Sequence, residues 1–203
     1  MKKLLWIMLA VSALMAVFYI LTGTQGQDEY IKKIEQHRAG KDHNFKTSPD
    51  SPFAGDTTFT GLKYFAVDPS YRIIARLVPA PQKHTVTLGT SDGREKRYLA
   101  YGYAEFELHG RQNRLLILEI ADAGPYRGTL FLAFGDETSA RETYGGGRYM
   151  DIEKERGASI IVLDFNLAYN PYCAYNNNYS CPLPPPENLL PIPIRAGEMN
   201  YKK

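Results

Sequence analysis

Six prolines fall between Pro182 and Pro193, in the run PLPPPENLLPIP. Each proline fixes φ and removes a backbone donor, so this stretch forms neither a helix nor a central strand. The sequence predicts an extended path near polyproline II geometry. The apolar spacers Leu183, Leu189, Leu190, Ile192 and Ile194 predict that it packs along its own domain. Glu187, Asn188 and Arg195 are its polar exceptions. A chain carrying such a segment must supply an apolar surface that is already complete without it.

The middle of the chain reads as that surface. From Phe59 onward the hydrophobic pattern has period two, with short runs separated by turn signals. Strands are expected over 62–66, 72–78, 85–90, 95–109, 114–121, 129–134, 148–153 and 159–165. Ser91-Asp92-Gly93 reads as a hairpin turn. Gly102 breaks a run too long for one regular strand and predicts a bulge. The run Leu115-Leu116-Ile117-Leu118 predicts apolar cover on both faces. Fifteen tyrosines fit β structure. The expected fold is mainly β, an antiparallel sandwich or partly closed barrel of about eight strands, followed by a long irregular proline-rich C-terminal segment.

The chain of 203 residues begins Met1-Lys2-Lys3 and then runs apolar from Leu4 to Leu21, broken by Ser12 and Tyr19. About 18 residues at 1.5 Å each reach roughly 27 Å, enough for a bilayer core. With Lys2 and Lys3 inside, the rest of the chain is expected outside a bacterial inner membrane. A secretory signal peptide removed by cleavage is the alternative. Residues 27–40 predict a short amphipathic helix that places Tyr30, Ile31 and Ile34 on one face and stops at Gly40. Residues 41–56 read as an irregular connection. The organisation expected is a membrane segment over 1–26, a helix and connection over 27–58, and a β-rich domain over 59–203 with a special loop at 166–198.

Chemistry concentrates near that loop. Cys173 and Cys181, spaced C-x7-C, predict a disulfide in an oxidising compartment, worth roughly 2.5 kcal/mol in the chain-entropy picture. Two thiolates alone make an incomplete zinc site, and His37, His43, His84 and His109 are scattered, so no metal is expected. Gly145-Gly146-Gly147 before Arg148 could cradle a phosphate, although no helix follows to add its dipole; a tight turn is the plainer reading. Asp136, Glu137, Glu142, Asp151, Glu153 and Asp164 gather around the last hairpin. Asp164, between Leu163 and Phe165, is expected to pin the loop. Asn166, Tyr169, Asn170, Tyr172 and Tyr175 form a polar aromatic set suited to stacking a small molecule or a glycan. Arg148, Asp164, Glu187 and Asn188 join them as candidate binding residues. No pattern specifies a cofactor. A net charge of +2 gives no electrostatic case for nucleic acid.

Several of these motifs occur together in one known family. Phe59-Thr60-Gly61-Leu62-Lys63-Tyr64-Phe65, Tyr144-Gly145-Gly146-Gly147-Arg148-Tyr149, Leu163-Asp164-Phe165-Asn166, Tyr169-Asn170-Pro171 and Cys181-Pro182-Leu183-Pro184-Pro185-Pro186-Glu187-Asn188 make the sequence resemble domain-of-unknown-function family 1684 over roughly residues 30–198. The resemblance implies no activity, substrate or catalytic residue. The residues themselves favour a membrane-tethered extracytoplasmic domain that binds a small ligand or carbohydrate. The alternatives are a hydrolase using acidic residues near the 145–164 hairpin and a structural protein of the cell envelope.

Overall fold

The computed structural model describes residues 25–121, 124–153 and 157–201, together with the backbone assignment of one long helix. That helix is α1 (Lys2–Thr47), whose side chains are described from Gln25 onward. Seven strands follow: β1 (Arg72–Pro79), β2 (Thr85–Gly89), β3 (Glu95–Leu108), β4 (Arg111–Ile120), β5 (Leu130–Phe134), β6 (Arg148–Ile152) and β7 (Ile160–Asp164). They make one antiparallel sheet in the order β6-β5-β4-β3-β1-β7, with β2 paired to β3 beside that path. The sheet curls into a half-barrel, so the second sheet of a sandwich is replaced by other parts of the chain.

The curl begins in β3. Its first half pairs with β2, from Thr85 opposite Leu99 to Gly89 opposite Glu95. Its second half pairs with β1, from Pro79 opposite Gly102 to Arg76 opposite Glu105. Between the halves the register against β4 shifts at Ala100/Gly102, as the glycine predicts. One extra residue reverses which side chains face which side. Tyr98 and Ala100 therefore join one core, whereas Ala104 and Phe106 join the other. β4 serves both, with Leu116 and Leu118 on the first side and Leu115 and Ile117 on the second. Gly102 itself is required by close approach, since a Cβ there would lie 2.7 Å from the Val78 carbonyl.

The proline-rich segment fills the larger core. Leu190, Ile192, Ile194 and Ala196 pack with Leu115, Ile117, Phe134, Leu163 and Phe165. Leu183 and Leu189 stay exposed. A third cluster joins Phe45, Phe53 and Phe59 to Ala174, Tyr175 and Tyr201.

Three expectations need correction. The predicted strand over 62–66 is an extended segment with one bridge, Tyr64 to Glu198, so the strands number seven among the described residues. Its backbone is held by helix side chains: Arg38 donates to the Phe65 carbonyl at 2.9 Å, and Asp42 accepts from the Leu62 amide at 3.2 Å. The helix does not stop at Gly40 but continues to Thr47, because Phe45 has an aromatic cluster to enter. Residues 41–47, expected to be irregular, are therefore helical. The expected membrane segment over 4–21 lies outside the described residues. Among the described residues no helix is long and apolar enough to cross a membrane.

Replacing Gly102 by valine is expected to cost about 1–3 kcal/mol by forcing apart β1 and β3. Urea unfolding of Gly102→Val measures this; an unchanged midpoint would show that the close approach carries no stability.

Candidate functional site

Most of the polar residues expected at the site face inward and bind the protein itself. Arg148 is only 1% exposed. Its guanidinium donates to the carbonyls of Ile194, at 2.8 Å, and of Ala196, and it pairs with Asp136 at 2.9 Å. Burial lowers its pKa, and the Asp136 carboxylate opposes that shift. It is a clamp on the proline-rich segment, aimed away from the glycine run that precedes it.

Asn188 does similar work further along. Its side-chain oxygen accepts from the Leu116 amide at 2.7 Å, and its side-chain nitrogen donates to the carbonyls of Leu116 and Ala133 at 2.9 and 2.8 Å. The register of β4 against β5 covers only Leu118–Phe131 and Glu119–Leu130. The Asn188 amide thus bonds both strands beyond their own ladder. Its neighbour Glu187 points to solvent.

Asp164 and Asn166 anchor the helix. The Tyr30 hydroxyl sits 2.8 and 2.9 Å from the two Asp164 carboxylate oxygens and accepts from the Asn166 side chain at 2.9 Å. Asp164 also caps the short turn at Phe165–Leu167 by accepting from the Asn166 amide. Asn166 holds Asp68 from both sides, at 3.0 and 2.7 Å. Pinning of the loop by Asp164, expected from the sequence, is what the geometry displays.

Tyr169, Asn170 and Tyr175 surround a residue that sequence reasoning passed over. Glu198 is fully buried. Lys41 of α1 pairs with it at 2.8 Å, the Asn170 side chain donates at 2.8 Å, and the Tyr175 hydroxyl donates as well. Burial, and then the Glu198 charge, drive the Tyr175 pKa up, which keeps it a neutral donor. Tyr169 donates to Asp151 at 2.8 Å, and the Lys41 ammonium lies 4.8 Å from its ring. Tyr172, on the surface, meets Phe45 and Tyr179 edge-on. Nothing in the run Ala196-Gly197-Glu198-Met199 marks Glu198 as buried, because its partners come from α1 and the loop.

The open cleft lies beside these residues. It has a volume of about 410 Å³, with the glycine run 145–147 and Gly135 on one side and Leu183, Pro184 and Leu189 on the other. Both flanks rest on glycine. A Cβ on Gly147 would collide with Pro184 Cγ, and one on Gly135 would lie 2.8 Å from Leu189 Cδ2. The Asp136 carboxylate near the cleft is occupied by Arg148, Thr138 and the Ile194 amide. A second hollow, about 430 Å³, is lined by one stretch of α1 and has no opposing wall.

The expected disulfide is not formed; both cysteines are free thiols, buried side by side. The Cys173 amide donates to Cys181 Sγ at 3.2 Å, and the Tyr144 hydroxyl is 3.7 Å from Cys173 Sγ. Hydrogen bonds from Cys181, Tyr144 and Ser91 outweigh burial and hold the Cys173 thiol down to about 6, while the same bond to Cys173 and burial raise Cys181. Among the described residues no group of three or more His, Cys, Asp or Glu is placed to hold a metal. The hairpin expected over 145–164 does not form, because β6 pairs with β5 and β7 with β1 at opposite ends of the sheet. The acidic residues expected around it serve separate partners: Glu142 pairs with Arg195, Asp151 with Tyr169 and Asp164 with Tyr30.

Residues 57–199 match a family described as a protein of unknown function, DUF1684. The solution NMR structure of an uncharacterised protein from Haloarcula marismortui is similar, with 38% sequence identity over 88% of this chain and 98% of that one, and a TM-score of 0.66. No curated protein matches.

Two outcomes are expected. Glu198→Ala strands Lys41, Asn170 and Tyr175 and should cost about 3–5 kcal/mol, whereas Glu187→Ala on the surface should stay within about 0.5 kcal/mol; equal melting temperatures for the two variants would refute the hub. Cys173 should react with a small methanethiosulfonate at a rate that rises with pH through about 6, as its thiolate forms among Cys181, Tyr144 and Ser91. A midpoint above about pH 8, the range of an ordinary thiol, would remove the activated thiolate.

Proposed function

The chain belongs to the DUF1684 family, and from that premise we propose that it is a membrane-tethered extracytoplasmic domain that binds a small, mainly apolar ligand. The cleft between the glycine run and the proline-rich segment carries the reading. At about 410 Å³ it falls within the range of small-molecule sites. Leu189 is 59% exposed and Leu183 39%, and both border the same opening. Two leucines left bare beside a concavity form a surface that gains by covering. A glycan platform built on the tyrosine and asparagine loop has less support, since Asn166, Asn170 and Tyr175 are buried and engaged.

The outer face of β1 and β7 supports the tether. Ile74 lies opposite Val162, and Ile160 lies opposite Arg76. Ile74, Ile160 and Val162 are all exposed. Asp164, two residues beyond Val162 and so on the same face, binds Tyr30 of α1. The patch therefore adjoins the helix that leads back toward the apolar run 4–21. An apolar face beside an apolar anchor suits the edge of a bilayer.

The full chain, expressed in bacteria and extracted from the membrane fraction, is tested by native mass spectrometry. A small molecule lost on denaturation is expected, and Leu189→Asp should reduce its occupancy at least about tenfold, since burying a leucine contributes about 1.5–3 kcal/mol. A bare chain that also gives no Leu183 or Leu189 methyl shift with an apolar fragment library would overturn the binding reading. Recovery in the soluble fraction would overturn the tether.

A further inference from the structure

The cysteine pair stands immediately behind the cleft. Cys181 leads directly through Pro182 into Leu183 and Pro184, which form one wall. That lead is fixed along the β2–β3 hairpin. The Ser91 amide donates to the Cys181 carbonyl at 2.8 Å, the Tyr149 hydroxyl to the Pro182 carbonyl at 2.5 Å, and the Leu183 amide to the Gly89 carbonyl at 2.8 Å. Cys173 reaches the opposite wall through Tyr144. The Tyr144 hydroxyl faces Cys173 Sγ, and its ring packs so tightly on the glycine turn that a Cβ on Gly146 would lie 2.5 Å from Cε1. Each sulfur is thus coupled to a different side of the same opening.

We propose that Cys173 and Cys181 form a reversible dithiol–disulfide pair whose oxidation state sets the shape of the cleft. The oxidant is a small or protein-borne disulfide. The Cys173 thiolate attacks one sulfur of that disulfide, forming a mixed disulfide and releasing one thiolate, which takes up a proton. Cys181 gives up its proton and attacks the Cys173 sulfur, and the second thiolate leaves and is protonated. One external disulfide becomes two thiols, one proton coming from Cys181 and one from solvent, where the Cys173 proton went when its thiolate formed, and the pair loses two electrons. Cys173 is the attacking group because the Tyr144 hydroxyl faces its sulfur at 3.7 Å, and its thiol pKa is the lowered one of the pair. Cys181 is the resolving group.

The coupling follows from the change in charge. A thiolate is a strong acceptor for the Tyr144 hydroxyl, and a disulfide sulfur is a weak one. Oxidation removes that partner and frees the ring that braces Gly146. It also draws Cys181 toward Cys173 and so moves the start of the Leu183 wall. The link to ligand binding rests on the cleft reading above, but the shape change is measurable without any ligand.

The full chain in detergent is equilibrated with graded mixtures of reduced and oxidised glutathione, then acid-quenched, alkylated and weighed, while methyl spectra follow Leu183 and Leu189. Both thiols should vanish together at one midpoint, and dithiothreitol should restore them. Cys181→Ser should stop at a single glutathione adduct on Cys173. The Leu183 methyl should shift with the same midpoint. Two free thiols after equilibration with oxidised glutathione, or a disulfide that dithiothreitol leaves intact, would overturn the reversible pair. Reversible oxidation with unmoved Leu183 and Leu189 signals would overturn its control of the cleft. A cleft that takes no ligand changes none of these readings, so failure of the binding proposal stays separate.

Discussion

The core of this protein contains a strand-like segment that cannot pair as a strand. Residues 182–194 pack against the half-barrel, yet six prolines deny them a regular ladder. Their buried polar groups must be met another way, because an unsatisfied buried carbonyl or amide costs about 1–3 kcal/mol. Arg148 supplies part of that substitute for the segment, and Asn188 does the converse for the strands it lies on. One guanidinium meets the Ile194 and Ala196 carbonyls and the Asp136 carboxylate. One amide meets three backbone groups across β4 and β5. A buried ion pair alone seldom stabilises over an apolar replacement of equal volume. Here the cation also serves backbone carbonyls that no apolar side chain could satisfy, so its place is set by the segment and not by Asp136 alone.

The same logic fixes the helix. α1 meets the domain mostly through polar contacts that descend its length: Tyr30 on Asp164, Arg38 on the Phe65 and Asn166 carbonyls, Lys41 on Glu198, and Asp42 on the Leu62 amide. Its apolar contributions in that stretch are Ile34 and Phe45. Contacts of this kind define register and direction more sharply than an apolar stripe does, because each pair has one geometry. The helix is thereby aimed by its polar partners as much as by its packing.

The parts legible in the sequence are those with local causes. Period-two alternation locates the strands, Gly102 the bulge, and the prolines the irregular segment. Leu115 to Leu118 announce cover on both faces. The parts that are not legible depend on distant partners. Gly40 reads as a helix stop, but Phe45 beyond it finds Phe53, Phe59 and Tyr175, and tertiary packing overrides the local signal. Residues 62–66 carry strand chemistry, yet the groups that bind their backbone are side chains of α1 and the backbone of residues 197 and 199, far away in sequence. Arg148 after three glycines suggests an anion cradle, and only the path of residues 194–196 shows that the guanidinium turns inward. The cleft is half legible: the glycine run is visible, while Gly135 and Leu189, which complete it, are far apart in sequence and meet only in the fold.

The tyrosines show why the two halves of this site respond differently to their surroundings. Tyr30, Tyr169 and Tyr175 each give a hydrogen bond to a carboxylate, respectively Asp164, Asp151 and Glu198. Burial and then those negative neighbours push all three phenols upward. A phenol held that way remains a neutral donor across the physiological range, so these three tyrosines carry no proton switch. Tyr144 is built on the same plan but faces a thiol. Its acceptor is a charge that forms near neutrality and disappears on oxidation. The donor chemistry is the same in all four cases; the acceptor alone decides whether the contact is permanent or conditional. The conditional contact is the one whose ring rests on the glycine turn of the cleft.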